Sequence, residues 1–215
     1  MASRPDALLL LTPGCTHCPV VLQALTEALK AGHLGRLDAV NIAEHPEVAK
    51  SVGARSVPWF RIGPFELDGL YTPAELKAWI EHAAHDTGWA PYFSSLLAQG
   101  RLPRALKLLW ADAARLADVI ALAGSLEIPM VARIGVGAIL EEFEGHDALR
   151  DHIPDLVALT RSPEPQVRAD ACHYLALTSA AEVADHVRPL LDDADAEVRG
   201  IAEETLERLT RYRTS

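Results

Sequence analysis

Up to about residue 87 the apolar residues come in short runs separated by turn signals; beyond it they recur at helical spacing. Ala7-Leu8-Leu9-Leu10-Leu11 is a continuous apolar run closed by Thr12-Pro13-Gly14. Its length predicts a fully buried strand. From Thr16 to Ala31, Val20, Val21, Ala24, Leu25, Ala28 and Leu29 mark one helical face. Pro19 falls in the first turn, where a missing N–H costs little, and Gly32 supplies the stop. Leu37 to Ile42 alternates as a strand does, and Asn41 or Glu44 then opens a short helix through His45 to Lys50. Val57 to Ile62 reads as a third strand and Phe65 to Leu67 as a fourth, joined by the turn Gly63-Pro64. Thr72-Pro73-Ala74-Glu75 combines a cap, a proline at the first helical position and a glutamate three residues after the cap. Leu76, Trp79 and Ile80 form the apolar face of that last helix. The expected order is strand, helix, strand, helix, strand, strand, helix.

After about Thr87 no strand pattern follows, and alanine and leucine dominate. Leu102, Ala105, Leu106, Leu109 and Trp110 predict two helices across residues 92–124. An internal repeat then appears. Ser162 to Arg168 aligns with Asp193 to Arg199 at an offset of 31, and the same offset pairs Ala171 with Ala202, Leu175 with Leu206 and Leu159 with Leu190. A weaker copy places Arg133 and Val136 at the arginine and alanine positions and ends at Leu140, at an offset of 35. Units of this size cannot bury an apolar face alone, so they stack as helical hairpins. The expected division is residues 5–85, a linker at 86–91 and a helical part at 92–213. The acidic run Asp192-Asp193-Ala194-Asp195 reads as a solvated turn.

Composition narrows the class. The 215 residues are 49% hydrophobic and carry 20 basic against 30 acidic groups, a net charge of −10 with the histidines neutral. That balance disfavours nucleic acid and anionic membranes as partners. No apolar run approaches the roughly 20 residues that span a bilayer, and Ala7–Leu11 is short for a secretion signal. The expectation is a soluble, cytoplasmic protein. Three cysteines exclude a disulfide-built scaffold.

Two of those cysteines carry candidate chemistry. Cys15-Thr16-His17-Cys18 lies after a strand and opens a helix. There the backbone N–H groups are unpaired and the dipole favours negative charge, which lowers the pKa expected for a Cys15 thiolate. Cys18 lies within reach to resolve a mixed disulfide formed at Cys15. His17 adds a donor or partial positive charge beside the pair. The same residues also admit a structural pair, a metal half-site or an inactive redox fold. No metal is expected, because zinc usually takes four ligands and His17, His33 and His45 match no zinc spacing. Cys172, inside a repeat helix, reads as a small core residue.

The first 80 or so residues resemble the thioredoxin-like superfamily in its glutaredoxin-sized form. The strand–Thr12-Pro13-Gly14-Cys15-Thr16-His17-Cys18-Pro19–helix segment, the element order and Gly53-Ala54-Arg55-Ser56-Val57-Pro58-Trp59-Phe60 carry the likeness. It is nearest to the thioredoxin-like domains of alkyl hydroperoxide reductase flavoproteins and of small protein disulfide oxidoreductases. The resemblance implies an α/β thioredoxin-like fold and a cis-proline at Pro58 facing Cys15. It further implies that the Val57 backbone holds a substrate chain, with Thr16, His17 and Trp59 lining the site. It implies thiol–disulfide exchange through the Cys15–Cys18 pair with no further cofactor, a protein disulfide as client, and a thiol reductase or glutathione as electron donor. The chain departs from thioredoxin in having Gly14 before the first cysteine and no acid in the Ala7–Leu11 strand. Asp68-Gly69 only partly matches glutaredoxin's glutathione-binding turn. Residues 125–210 resemble HEAT-like repeats, an α-solenoid that implies a protein partner. The alternative function is an interaction scaffold whose thioredoxin-like part senses redox state.

Overall fold

A computed structural model describes residues 4–212, which fall into two compact units parting between Gly88 and Trp89. In the first unit β1 (Asp6–Leu11), α1 (Cys18–Lys30), β2 (Arg36–Asn41), α2 (Pro46–Val52), β3 (Trp59–Ile62), β4 (Phe65–Asp68) and α3 (Pro73–His85) follow in the expected order. The strands form one mixed sheet, ordered β2-β1-β3-β4. β1 runs parallel to β2 and antiparallel to β3, and β3 and β4 are antiparallel. β1 is central. Leu9 and Leu10 are wholly buried, as a continuous apolar run requires when both faces of a strand are covered.

Helix ends follow local chemistry. The Thr72 hydroxyl accepts from the Glu75 amide at 3.3 Å, and the Glu75 carboxylate accepts from the Thr72 amide at 2.7 Å. This reciprocal cap holds the Glu75 carboxyl below its ordinary value. α1 opens at Cys18 rather than Thr16, since residues 12–17 make a turn before it. Its buried face is Cys18, Val21 and Leu25, whereas Val20 is 43% exposed. β3 opens at Trp59 rather than Val57, because Pro58 has no N–H to give the ladder.

The second unit is helical throughout its described length. Trp89–Pro91, expected in a linker, form the first turn of α4 (Trp89–Ala98), a place where proline is tolerated. Three helices, not two, cover the next stretch: α4, α5 (Leu102–Ala111) and α6 (Leu116–Ala123). The extra break is at Asp112, whose non-helical backbone ends α5. α7 (Met130–Glu142), α8 (Asp147–Arg150), α9 (Ile153–Leu159), α10 (Pro165–Leu177), α11 (Ala184–Val187) and α12 (Ala196–Tyr212) complete the unit.

The repeat register survives in three dimensions. Val167 and Val198 are fully buried, and so are Ala171 and Ala202. The two arginines aligned at an offset of 31 each close their own inter-helix turn, whereas Arg133 of the weaker copy pairs with Asp170 instead. Arg168 Nη1 donates to the carbonyls of Ser162 and Pro163 at 2.9 and 3.1 Å; Arg199 Nη1 donates to those of Asp193 and Ala194 at 2.7 and 3.1 Å. Arg168 also reaches forward, gripping both carboxylate oxygens of Asp193 at 2.8 and 2.7 Å. Asp193, expected in a solvated turn, therefore has a side chain only 9% exposed. α10 is covered on several sides and shows little amphipathicity: Val167, Cys172, Tyr174, Leu175 and Leu177 are all buried. α12 buries one stripe, Val198, Ala202, Thr205 and Leu209, and Leu206 at its margin is only half-buried, unlike its counterpart Leu175.

Two outcomes are expected. Leu175→Ala opens a cavity at a wholly buried position and costs about 3 kcal/mol, read as a lower urea midpoint at unchanged slope. The second concerns acid. The hydrogen bond from Arg168 first, and the Asp195 amide after it, lower the Asp193 pKa from its ordinary 3.8, with burial opposing them. A lowered folded-state pKa stabilises the fold fully above the unfolded value, and that contribution disappears as pH falls through the folded one. The thermal midpoint of wild type should therefore fall more steeply below about pH 4 than that of Asp193→Asn. The variant should already be less stable at neutral pH. Equal acid slopes would count against the pairing.

Candidate active site

The C-terminal end of β1 gathers four chain segments. The Ile42 amide donates to the Leu11 carbonyl at 3.0 Å, continuing the β1–β2 ladder. On the other side Leu10 pairs with Trp59, which puts Pro58 beside the end of β1. The Gly69 amide then donates to the Pro58 carbonyl at 2.9 Å, bringing the loop after β4 to the same end. The packing of Tyr71 on Phe60, centroids 5.3 Å apart, anchors that loop. The turn bearing the cysteines leaves from this end and is tied by the Cys15 amide to the Thr12 carbonyl at 3.2 Å.

Cys15 and Cys18 are joined as a disulfide, with Cα atoms 5.5 Å apart. Cys15 is half-buried and Cys18 is 3% exposed. The Cys18 amide, first of α1, donates to Cys15 Sγ at 3.1 Å. His17, the residue before the helix, makes no side-chain cap, and the first turn holds no acidic residue. The sulfur thus takes the place a capping oxygen usually fills, at the positive end of the helix. Nothing in that turn competes with it for negative charge.

The remaining expected site residues separate into two groups. The Val57–Pro58 peptide bond is cis, Pro58 is buried and Val57 half-buried. Val57 lies outside β3, and no loop or turn hydrogen bond uses its amide or carbonyl among the described residues. Thr16 and His17 are exposed. Trp59 is 2% exposed, packed into the sheet's core, and offers no ring surface at this end. Pro58, Trp59 and Phe60 are buried in succession, so both faces of the strand are covered at this point. Two residues outside the expected set are exposed here, Val20 at 43% and Leu70 at 56%. An apolar residue straight after Asp68-Gly69 was the available signal for Leu70. Among the described residues no three His, Cys, Asp or Glu side chains converge as a metal would need.

Cys172 is a different kind of cysteine. It is wholly buried in α10, and burial first, with the negative charge of Asp193 second, pushes its thiol up to about 11. A thiol held protonated is a poor nucleophile. After reduction, iodoacetamide at pH 8 should label Cys15 first and leave Cys172 unmodified in the folded protein, as peptide mapping by mass spectrometry would read. Labelling of Cys172 at the rate of a free thiol would contradict the packing.

The comparisons with known proteins divide along the same lines. The family model for the thioredoxin domain matches residues 7–81, which take in the sheet from Ala7 onward, the cysteine pair and Pro58. The family model for HEAT repeats matches residues 131–207, which run from α7 into α12 and include Arg133, Arg168 and Arg199. No curated protein matches the chain. The chain carries a thioredoxin-like domain followed by HEAT repeats.

Proposed function

We propose that the protein is a thiol–disulfide oxidoreductase whose helical repeats recruit a protein client. Residues 5–85 act as the redox part and residues 92–213 as the recruiting part. The observation that carries the reading is the Cys18 amide aimed at Cys15 Sγ at the start of α1. The same hydrogen bond stabilises a Cys15 thiolate once the disulfide is reduced, because a charged acceptor strengthens it.

In the reducing direction the Cys15 thiolate attacks one sulfur of a client disulfide. The client S–S bond breaks, a Cys15–client disulfide forms, and the released client sulfur leaves as a thiolate that takes up a proton. Cys18 then loses its proton and attacks Cys15 Sγ. The mixed disulfide breaks, the Cys15–Cys18 disulfide forms, and the second client sulfur leaves and is protonated. Two electrons pass to the client, and the two dithiol protons end on its thiols. The buried polar side chains among the described residues are Thr160, Thr178 and Thr205, all in the second unit. Among the described residues of the first unit no aspartate or glutamate is buried, so the Cys18 proton goes to solvent or to the departing client thiolate.

Val57 and Pro58 position the client. An extended segment laid alongside Val57 pairs with the amide and carbonyl that the fold leaves unused, in the manner of an added strand. Thr16 and His17 flank the pair from the solvent side. A reducing cytoplasm is the setting that fits this direction, with a thiol reductase or glutathione returning the electrons. No described helix is long and apolar enough to cross a membrane. A second reading, a scaffold whose thioredoxin-like domain only senses redox state, draws on the HEAT repeats.

Reduction of insulin with dithiothreitol as donor tests the reading. Wild type is expected to accelerate precipitation, and Cys15→Ser to fall to the uncatalysed rate. Cys18→Ser should accumulate a mixed disulfide with the client, visible on non-reducing gels and cleared by dithiothreitol. Wild type without exchange activity overturns the enzyme reading. Partner binding that persists unchanged in the double cysteine variant favours the scaffold.

A further inference from the structure

In the second unit α7, α10 and α12 enclose a groove of about 680 Å³. Its floor is kept low by small residues such as Gly137 and Ala169. A Cβ at Gly137 would meet nothing nearer than Tyr174 Oη at 3.7 Å. The two rims differ in chemistry. On the α7 side Met130 is 67% and Ile134 66% exposed, far more than apolar side chains of that size usually are in a packed stack. On the α12 side Glu197, Glu204 and Glu207 are exposed and have no ion-pair partner among the described residues.

The groove's positive charges are already engaged. Arg133 pairs with Asp170 at 2.7 Å, Arg208 with Glu144, and Arg211 also has a partner. His173 faces Glu141 at 3.7 Å. The charge left uncompensated is therefore negative, within a chain that is itself at −10. That sign repels nucleic acid and anionic lipid, and it opposes a second copy of this chain as occupant.

We propose that this groove takes a cationic segment of a partner protein, with aliphatic or aromatic side chains seated on Met130 and Ile134 and lysines or arginines on Glu197, Glu204 and Glu207. The apolar contact gives the area and the carboxylates give the orientation. Two neighbouring helix spacings of roughly 8–10 Å separate the rims. A helical segment of about twelve residues, or an extended one of about six, bridges them. The inference deepens the recruiting role proposed for the repeats and is independent of the thiol chemistry.

The test uses full-length protein and fluorescein-labelled twelve-residue peptides with Leu-Trp at one end and Lys-Arg-Lys at the other, the separation varied across the set. A scrambled peptide and one with glutamates for the basic residues serve as controls. Fluorescence anisotropy should show at least one arrangement binding about tenfold tighter than both controls, and more weakly at high salt. Glu197→Gln with Glu204→Gln and Glu207→Gln should lose about tenfold in affinity and most of the salt dependence. Met130→Ser with Ile134→Ser should weaken binding and leave the salt dependence in place. All five positions are surface-facing, and unchanged thermal midpoints verify the fold. The proposal is overturned if no arrangement exceeds the controls, if the variants bind as wild type does, or if sedimentation shows a dimer that the Met130 and Ile134 changes dissociate. Insulin reduction by the same variants separates the two readings. Peptide binding without insulin reduction by wild type leaves the groove inference standing and removes the thiol–disulfide reading, whereas insulin reduction without peptide binding does the reverse.

Discussion

Backbone hydrogen bonding at the end of β1 organises the first half of the molecule. The strand is laddered on both edges, so its last residues are held by β2 on one side and by the approach to β3 on the other. The chain then turns through six residues into α1, whose first amides have no partner of their own. Cys15 is the side chain placed to answer one of them. The sulfur is therefore located by the sheet and polarised by the helix, and neither element alone would do both. The same ladder brings Pro58 and, through it, Gly69 to this end. A site made from three loops thus inherits the rigidity of one central strand.

The repeat half rests on a different device. The turn between helices leaves carbonyls that the helices cannot satisfy, and a single arginine in each of the two aligned repeats satisfies two of them. In the inner repeat the same guanidinium continues to the next turn and holds Asp193 with a two-toothed grip. One side chain thereby closes its own hairpin and joins it to the following one. Thr205 adds a second link, its hydroxyl donating to the Cys172 carbonyl at 3.2 Å. Apolar contact supplies the cohesion of the stack, and these polar links fix its register.

The two cysteine environments show why residue type alone does not define chemistry. Cys15 meets an unpaired amide at an exposed helix start, and Cys172 meets packed hydrocarbon and a nearby carboxylate. The first setting favours the charged sulfur and the second disfavours it. The proposed redox role draws on the former, and the latter belongs to the core of α10.

Much of this was legible in the sequence, because it depends on neighbours along the chain. The apolar run of β1, the cap at Thr72, the cysteine pair at a strand–helix junction and the arginine spaced by 31 residues are all local signals. Other features depended on what folds against them. Pattern alone placed Val20 on the buried face of α1 and Trp59 at the site, but an exposed helix face and the inward side of a strand are set by the packing around them. Asp193 read as solvated until a residue 25 positions away closed on it. The exposure of Leu70 and the unequal rims of the groove likewise appear only once distant segments share a surface. Sequence determines which short stretches turn, coil or extend, since those choices are made between near neighbours. Burial and pairing are properties of the assembled unit, and only the tertiary structure decides them.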